Sequence, residues 1–135
     1  SHKLYFYVLT ALFGFAGLFG LITAELSYLL FINSPPAYAP TVEKGFSASV
    51  VRVLANNFYN FYSMLEICLA LMFAYASQES ILERQKMAKR MSTIILVMHI
   101  FVHFYQHYVL DLYRSDAWFS SVGIWAVTLL IGFIF

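Results

Sequence analysis

Four long apolar stretches, separated by short polar segments, make up most of the chain. They cover residues 4–32, 49–77, 91–113 and 118–135. About 20 apolar residues suffice for an α-helix to cross the hydrocarbon core of a bilayer, so each stretch has roughly the length of a membrane span. The pattern predicts an all-α membrane protein, a four-transmembrane-helix bundle with short loops and a single domain over residues 1–135.

The polar segments between the stretches predict the orientation of the bundle. Residues 33–47 contain three prolines and a glycine, which indicates a turn-rich loop. Residues 78–90 hold four basic side chains: Arg84, Lys86, Lys89 and Arg90. By the positive-inside rule this second segment faces the cytoplasm or its organelle equivalent, which gives an N-in/C-in topology. Topology alone explains the basic cluster, although such clusters also bind anionic lipid.

Composition agrees with a membrane protein and excludes several other classes. The chain is 61% hydrophobic and only 11% charged, whereas soluble domains carry roughly a quarter charged residues. A net charge of +1 gives no basic field for nucleic acid. Cys68 is the single cysteine, so disulfides within the chain and cysteine-rich metal sites are excluded. Residues 21–24 resemble a signal-peptide cleavage site, but the apolar run is too long for a usual signal, so we expect a permanent helix.

The most informative pattern is a stripe of ionisable residues in the third stretch. His99, His103, His107 and Asp111 follow one another at four-residue intervals inside an otherwise apolar helix. Each step of four residues advances by about 400° around an α-helix, so the four side chains form one slowly drifting stripe. Ionisable groups within membrane helices normally face a bundle interior or a cavity. We therefore expect the stripe to form the wall of a buried site.

A second polar stripe follows the outer half of the preceding stretch. The two stretches are expected to be antiparallel neighbours, so residues at equal depth have a constant sum of residue numbers. This rule places Arg52 level with Asp111, Asn56 level with His107, and Asn60 level with His103. Glu66 is expected near His99. Glu25 of the first stretch lies towards the same outer half. The predicted polar seam consists of His99, His103, His107, Asp111, Glu66 and Asn60, supported by Arg52, Asn56 and Glu25.

Four interpretations of this polar seam stay open. It can be structural, since polar side chains hydrogen-bond between membrane helices and set their register. It can hold a transition metal such as Cu, Zn or Fe, because imidazoles and carboxylates suit these ions. Three imidazoles on one straight helix span about 12 Å, so a single ion needs a ligand from another helix. It can also hold a haem or a quinone, or move protons.

These alternatives differ in what else they require. Bis-histidine ligation of haem b usually takes histidines from two helices, so haem fits this chain less well than a quinone. A proton path needs polar groups in the cytoplasmic halves of the spans, and these are few. The chain also contains no phosphate loop, nucleophile elbow or His-Glu-x-x-His motif, so we do not expect catalysis by this chain alone.

The sequence leads to one expectation and one alternative. We expect a small integral membrane accessory subunit of a larger complex, in a bacterial or archaeal plasma membrane or an organelle inner membrane. Its expected partners are the lipid bilayer and other membrane subunits or further copies of itself, and no nucleic acid. The alternative is a metal-binding or haem- or quinone-binding component of a membrane oxidoreductase or respiratory complex.

Overall fold

A computed structural model describes residues 2–22 and 48–135, with side chains from residue 57 onward in the second range. The described chain forms helices only, and no β-strand occurs in these two ranges. The four α-helices are α1 (Lys3–Ile22), α2 (Ala48–Ser77), α3 (Leu82–Tyr108) and α4 (Ile124–Ile134). A 3₁₀ turn at Ser115–Ala117 and a π-helical turn at Phe119–Gly123 lie between α3 and α4.

Four helical stretches are long and apolar enough to cross a membrane. They are Lys3–Ile22, Asn57–Ser77, Leu82–Tyr108 and Ser115–Ile134, with 20 to 27 residues each. At a rise of about 1.5 Å per residue, 20 residues match the roughly 30 Å hydrocarbon thickness of a bilayer. This confirms the prediction of an all-helical protein with four potential spans. Membrane insertion and the N-in/C-in orientation stay predictions.

The buried core lies at the centre of the bundle and is mainly aromatic. Its members come from all four helices: Tyr5, Phe6, Leu9, Phe13, Ala70, Phe73, Leu96 and Trp125. The outward faces of the helices carry many exposed large apolar side chains, among them Phe15, Tyr75 and Phe101, which are 74–80% exposed. A helix that is apolar on both its inner and outer faces is typical of a membrane environment.

The closest helix pair is α1 and α2, which pack through glycines of α1. A Cβ atom at Gly17 would lie 2.6 Å from the Ile67 side chain and 2.7 Å from the Ser63 carbonyl oxygen. A Cβ at Gly20 would collide with the Ser63 hydroxyl. Small residues allow close backbone approach between membrane helices, and this is their role here.

The glycine contact leads to a prediction with an internal control. Gly17→Ala places a methyl group against backbone atoms of α2 and is expected to lower the free energy of unfolding by about 1–3 kcal/mol. Gly14→Ala meets only the Ala70 Cβ at 3.6 Å, an ordinary contact. The second variant is therefore expected to be neutral or more stable by about 0.5–1 kcal/mol, the helix-propensity gain of alanine. Thermal unfolding in detergent measures both, and equal shifts of the same sign contradict the packing described.

The polar segment predicted as a loop at residues 78–90 is mostly helical, which corrects the sequence prediction. α3 begins at Leu82, so only residues 78–81 form the turn after α2. Residues 82–90 are all strong helix formers, without glycine, proline or β-branched side chains. The Glu79 carboxylate accepts hydrogen bonds from the backbone N–H groups of Ser80 and Ile81, which holds the pKa of that carboxyl below its usual value. The basic side chains therefore lie on the first turns of α3.

The other end of α3 also differs from the prediction. The helix ends at Tyr108, five residues before the expected position 113, so Asp111 does not continue the histidine stripe. Asp111 has a φ of 48°, a left-handed conformation that asparagine and aspartate tolerate better than most residues. The backbone N–H groups of Leu110 and Leu112 donate to the carbonyls of Tyr105 and Gln106, which closes the end of the helix.

Candidate functional site

The three imidazoles of α3 lie on its inward face. His103 and His107 are buried, with 9% of each residue exposed, and His99 is half-buried. Their four-residue spacing on a regular helix stacks them along the bundle, as the helical period requires. The rings of His99 and His103 are neighbours, with centroids 4.4 Å apart.

Tyr62 of α2 connects these two imidazoles. Its hydroxyl lies 3.0 Å from Nδ1 of His99 and 3.3 Å from Nε2 of His103. Its ring is nearly parallel to that of His99, at an interplanar angle of 8°. One phenol hydroxyl therefore makes interhelical hydrogen bonds from α2 to two successive turns of α3.

Tyr113, in the turn after α3, continues the hydrogen-bonded chain on the far side of His103. Its hydroxyl lies 3.0 Å from Nδ1 of His103 and donates to Oε1 of Gln106 at 3.1 Å. Burial raises the pKa of the Tyr113 hydroxyl above its ordinary value, and Tyr59 and Glu66 act in the same direction. The phenol thus keeps its proton at neutral pH and can serve as a donor.

One assignment of donors satisfies all of these contacts when both imidazoles are neutral and the Tyr113 hydroxyl donates to Gln106. Because the Tyr113 hydroxyl donates to Gln106, it accepts from Nδ1–H of His103. In a neutral imidazole the other nitrogen is then an acceptor, so Nε2 of His103 receives the Tyr62 proton. The Tyr62 oxygen in turn accepts from His99, whose Nδ1 is the nearer ring nitrogen at 3.0 Å and whose Nε2 lies at 3.4 Å. The result is a histidine–tyrosine chain, defined as His99, Tyr62, His103, Tyr113 and Gln106 in order of donation.

Aromatic rings enclose the inner end of the histidine–tyrosine chain. The ring centroid of His99 lies 5.1 Å from that of Phe13 and 4.3 Å from that of Trp125. Phe13 and Trp125 also contact each other, at 4.9 Å between centroids. This places the histidine–tyrosine chain directly against the part of the apolar core that α1 and α4 contribute. Hydrogen bonds in such surroundings are costly to leave unmade.

His107 belongs to a separate contact with the start of the fourth span. Its Nδ1 lies 3.2 Å from the Ser121 hydroxyl, which donates to the Trp118 carbonyl. Ser121 lies in the π-helical turn, a feature that often occurs at functional positions of helices. The ring of His107 also stacks on Tyr113 at an interplanar angle of 20°. His107 therefore ties α3 to the segment that leads into α4.

Two buried side-chain atoms have no hydrogen-bond partner in the described ranges: the Ser63 hydroxyl and the indole nitrogen of Trp125. The indole N–H of Trp125 is buried and has no acceptor. The Glu66 side chain, one turn after Tyr62, is only 6% exposed and makes no ion pair with the described residues. Unpaired polar groups in apolar surroundings are rare, so the Trp125 indole N–H is a position where a ligand or partner would gain a hydrogen bond.

The structure places the remaining predicted seam residues as follows. Asn60 is exposed and does not contact His103, whose α2 partner is Tyr62. The physical reason is the helical period: Asn60 precedes Tyr62 by two residues, about 200° around α2, so the two side chains lie on nearly opposite faces of the helix. Asp111 is exposed in the turn after α3. The predicted contributions of Arg52, Asn56 and Glu25 fall outside the described side chains.

Several residues of this site are absent from the sequence prediction. They are Tyr62, Gln106, Tyr113, Ser121, Trp125 and Phe13. A usable signal exists only for Tyr62, since the equal-depth rule puts it midway between His99 and His103. The others depend on the tertiary turn at residues 109–123 and on the packing of α1 and α4.

The described residues show no group of three or more histidine, cysteine or acidic side chains positioned to hold a metal ion. The neighbouring imidazoles of His99 and His103 come nearest to such a site, but their inward nitrogens already make hydrogen bonds with tyrosine hydroxyls.

Comparison of the chain with protein-family models, curated proteins and solved structures finds no match in any of the three.

Removing the hydroxyl of Tyr62 tests the bridge between α2 and α3. Tyr62→Phe leaves Nδ1–H of His99 and Nε2 of His103 unpaired and is expected to lower the free energy of unfolding by about 1–2 kcal/mol. Tyr105→Phe is the matched control, because Tyr105 is on α3 and 48% exposed, and it is expected to change stability by less than about 0.5 kcal/mol. Chemical or thermal unfolding in detergent measures both variants. Equal stabilities of the two variants contradict the bridge.

Proposed function

We propose that this chain is a small integral membrane accessory subunit, whose partly buried polar network holds its own helices in register within a larger membrane assembly. The observation that carries the proposal is that the inward imidazole nitrogens hydrogen-bond to hydroxyl groups of the same chain. Nδ1 of His99, both nitrogens of His103 and Nδ1 of His107 all contact hydroxyl groups of other segments. Side chains engaged in this way serve packing and register, which is a common role of polar groups in membrane bundles.

The distribution of basic residues supports an N-in/C-in orientation. One end of the bundle contains the start of α1, the start of α3 and the end of α4. His2 connects them, since its Nδ1 lies 3.3 Å from Lys89 Nζ and 3.0 Å from the Phe135 carbonyl oxygen. The basic cluster on the first turns of α3 is at this same end. The positive-inside rule assigns such an end to the cytoplasmic or equivalent side.

The outward surface of α2 supports association with further membrane subunits or a second copy. Phe58, Phe61, Leu71, Met72 and Tyr75 are 58–80% exposed there. Aromatic residues and methionine are enriched at interfaces between proteins and fill irregular gaps well. Lipid covers the same surface in an isolated chain.

The alternative function is a ligand-binding component of a membrane oxidoreductase. The specific observation in its favour is the buried indole N–H of Trp125, which has no acceptor in the described ranges and lies beside His99. A quinone carbonyl is an acceptor of the right kind, and tyrosine and histidine provide further polar contacts. A ligand there requires the aromatic rings to move apart.

One purification separates the two functions. We expect the chain, extracted in a mild detergent, to bring defined partner chains with it and to contain no stoichiometric Cu, Zn, Fe, haem or quinone. His103→Ala is expected to lower thermal stability and partner recovery together, whereas Tyr105→Ala on the exposed face of α3 retains both. Mass spectrometry, metal analysis, an absorption spectrum and quinone extraction provide the readouts. A stoichiometric cofactor that His103→Ala removes while the protein stays folded supports the oxidoreductase component instead.

A further inference from the structure

A pocket at the basic end of the bundle lies outside the histidine–tyrosine chain and has a different chemistry. It has a volume of about 650 Å³ and opens between the start of α3 and the end of α4. Its polar wall contains Lys86, Lys89 and Arg90, and its apolar wall contains Ile94, Leu129 and Phe133. The lining residues include no acidic side chain.

The positive charge of this pocket is only partly neutralised. Lys86 pairs with Glu83 at 2.8 Å, and the described residues provide no ion pair for Lys89 or Arg90. Lys89 is half-buried, and its ammonium group lies 5.9 Å from the centroid of the Tyr5 ring. A positioned, half-buried cation without a carboxylate favours an anionic ligand.

The apolar wall determines what kind of anion fits. Ile94 follows Lys89 by five residues, which corresponds to about 7–8 Å along the helix. Gly132 allows α4 to approach Tyr5, since a Cβ there would lie 2.7 Å from the Tyr5 ring. In the proposed membrane placement, the charged end of the pocket lies at the interface, while Leu129 and the 76% exposed Phe133 face the hydrocarbon.

We infer that this pocket binds an anionic glycerophospholipid, with its phosphate at Lys89 and Arg90 and the start of an acyl chain along Ile94, Leu129 and Phe133. The basic side chains match the phosphate of such a lipid, and the apolar wall matches its acyl chain. A free phosphate would contact only the basic side chains. Basic pockets between membrane helices on the cytoplasmic side bind such headgroups. The inference rests on the membrane placement described under Proposed function and does not require partner subunits.

The test uses the full chain in a neutral detergent and measures bound lipid by native mass spectrometry. Phosphatidylglycerol is the probe and phosphatidylcholine the zwitterionic reference. We expect preferential retention of phosphatidylglycerol, and each basic residue near an anionic lipid contributes about fivefold in binding. The Lys89→Gln/Arg90→Gln double variant is therefore expected to lose about 25-fold in that preference. Arg84→Gln is the matched control, because Arg84 is on the same turns of α3, pairs with Glu79 at 3.7 Å and does not line the pocket.

Two further arms identify the source of the anion and guard against misfolding. Inorganic phosphate and glycerol 3-phosphate at millimolar concentration are expected not to displace phosphatidylglycerol. Displacement by either compound assigns the site to soluble phosphates and overturns the lipid proposal. Lys89→Arg keeps the charge and is expected to keep the preference. Absence of a preference in the wild-type chain, or an equal loss in Arg84→Gln, also overturns it. Partner recovery is not measured here, so failure of this proposal is distinguishable from failure of the accessory-subunit proposal.

Discussion

The hydrogen bonds of the Tyr62 hydroxyl to His99 and His103 are the interaction on which the rest of this bundle depends. An aromatic core provides little water for an unpaired imidazole, so an inward ring nitrogen needs a protein partner. Tyr62 provides that partner from another helix, and Tyr113 provides it from the turn after α3. The polar groups are thereby satisfied next to an aromatic core that contains Phe13 and Trp125.

The division of contacts among the helices explains why a tyrosine has this role. Gly17 and Gly20 bring α1 close to α2, which leaves a wider separation between α2 and α3. Asn60 lies about 200° around α2 from Tyr62 and is exposed, whereas the Tyr62 ring faces α3 and presents its hydroxyl to both imidazoles. Aromatic packing and hydrogen bonding are therefore provided by the same residue.

The sequence predicts much of the fold and only part of the candidate site. Apolar length predicts four potential spans, and the four-residue spacing places His103 and His107 on one face, since both follow from local helical geometry. The predicted start of α3 is too late, because the polar composition of residues 78–90 indicates a loop although Lys and Arg are strong helix formers. Tyr113, Ser121 and Trp125 were missed because the left-handed residue Asp111 and the π-helical turn, not a periodic pattern, bring them to the histidines. The face of α2 that packs against α3, which carries Tyr62 and not Asn60, is also a tertiary property.

The direction of donation along the histidine–tyrosine chain is the central claim, and nitrogen NMR of the imidazoles measures it most directly. In protein with ¹⁵N-labelled histidine, in detergent at neutral pH, we expect His99 and His103 to be neutral and protonated at Nδ1. We also expect the His103 signals to shift in Tyr113→Phe and Tyr62→Phe, since each variant removes the partner of one nitrogen. Protonation of His103 at Nε2, or His103 shifts that neither variant changes, would contradict this account.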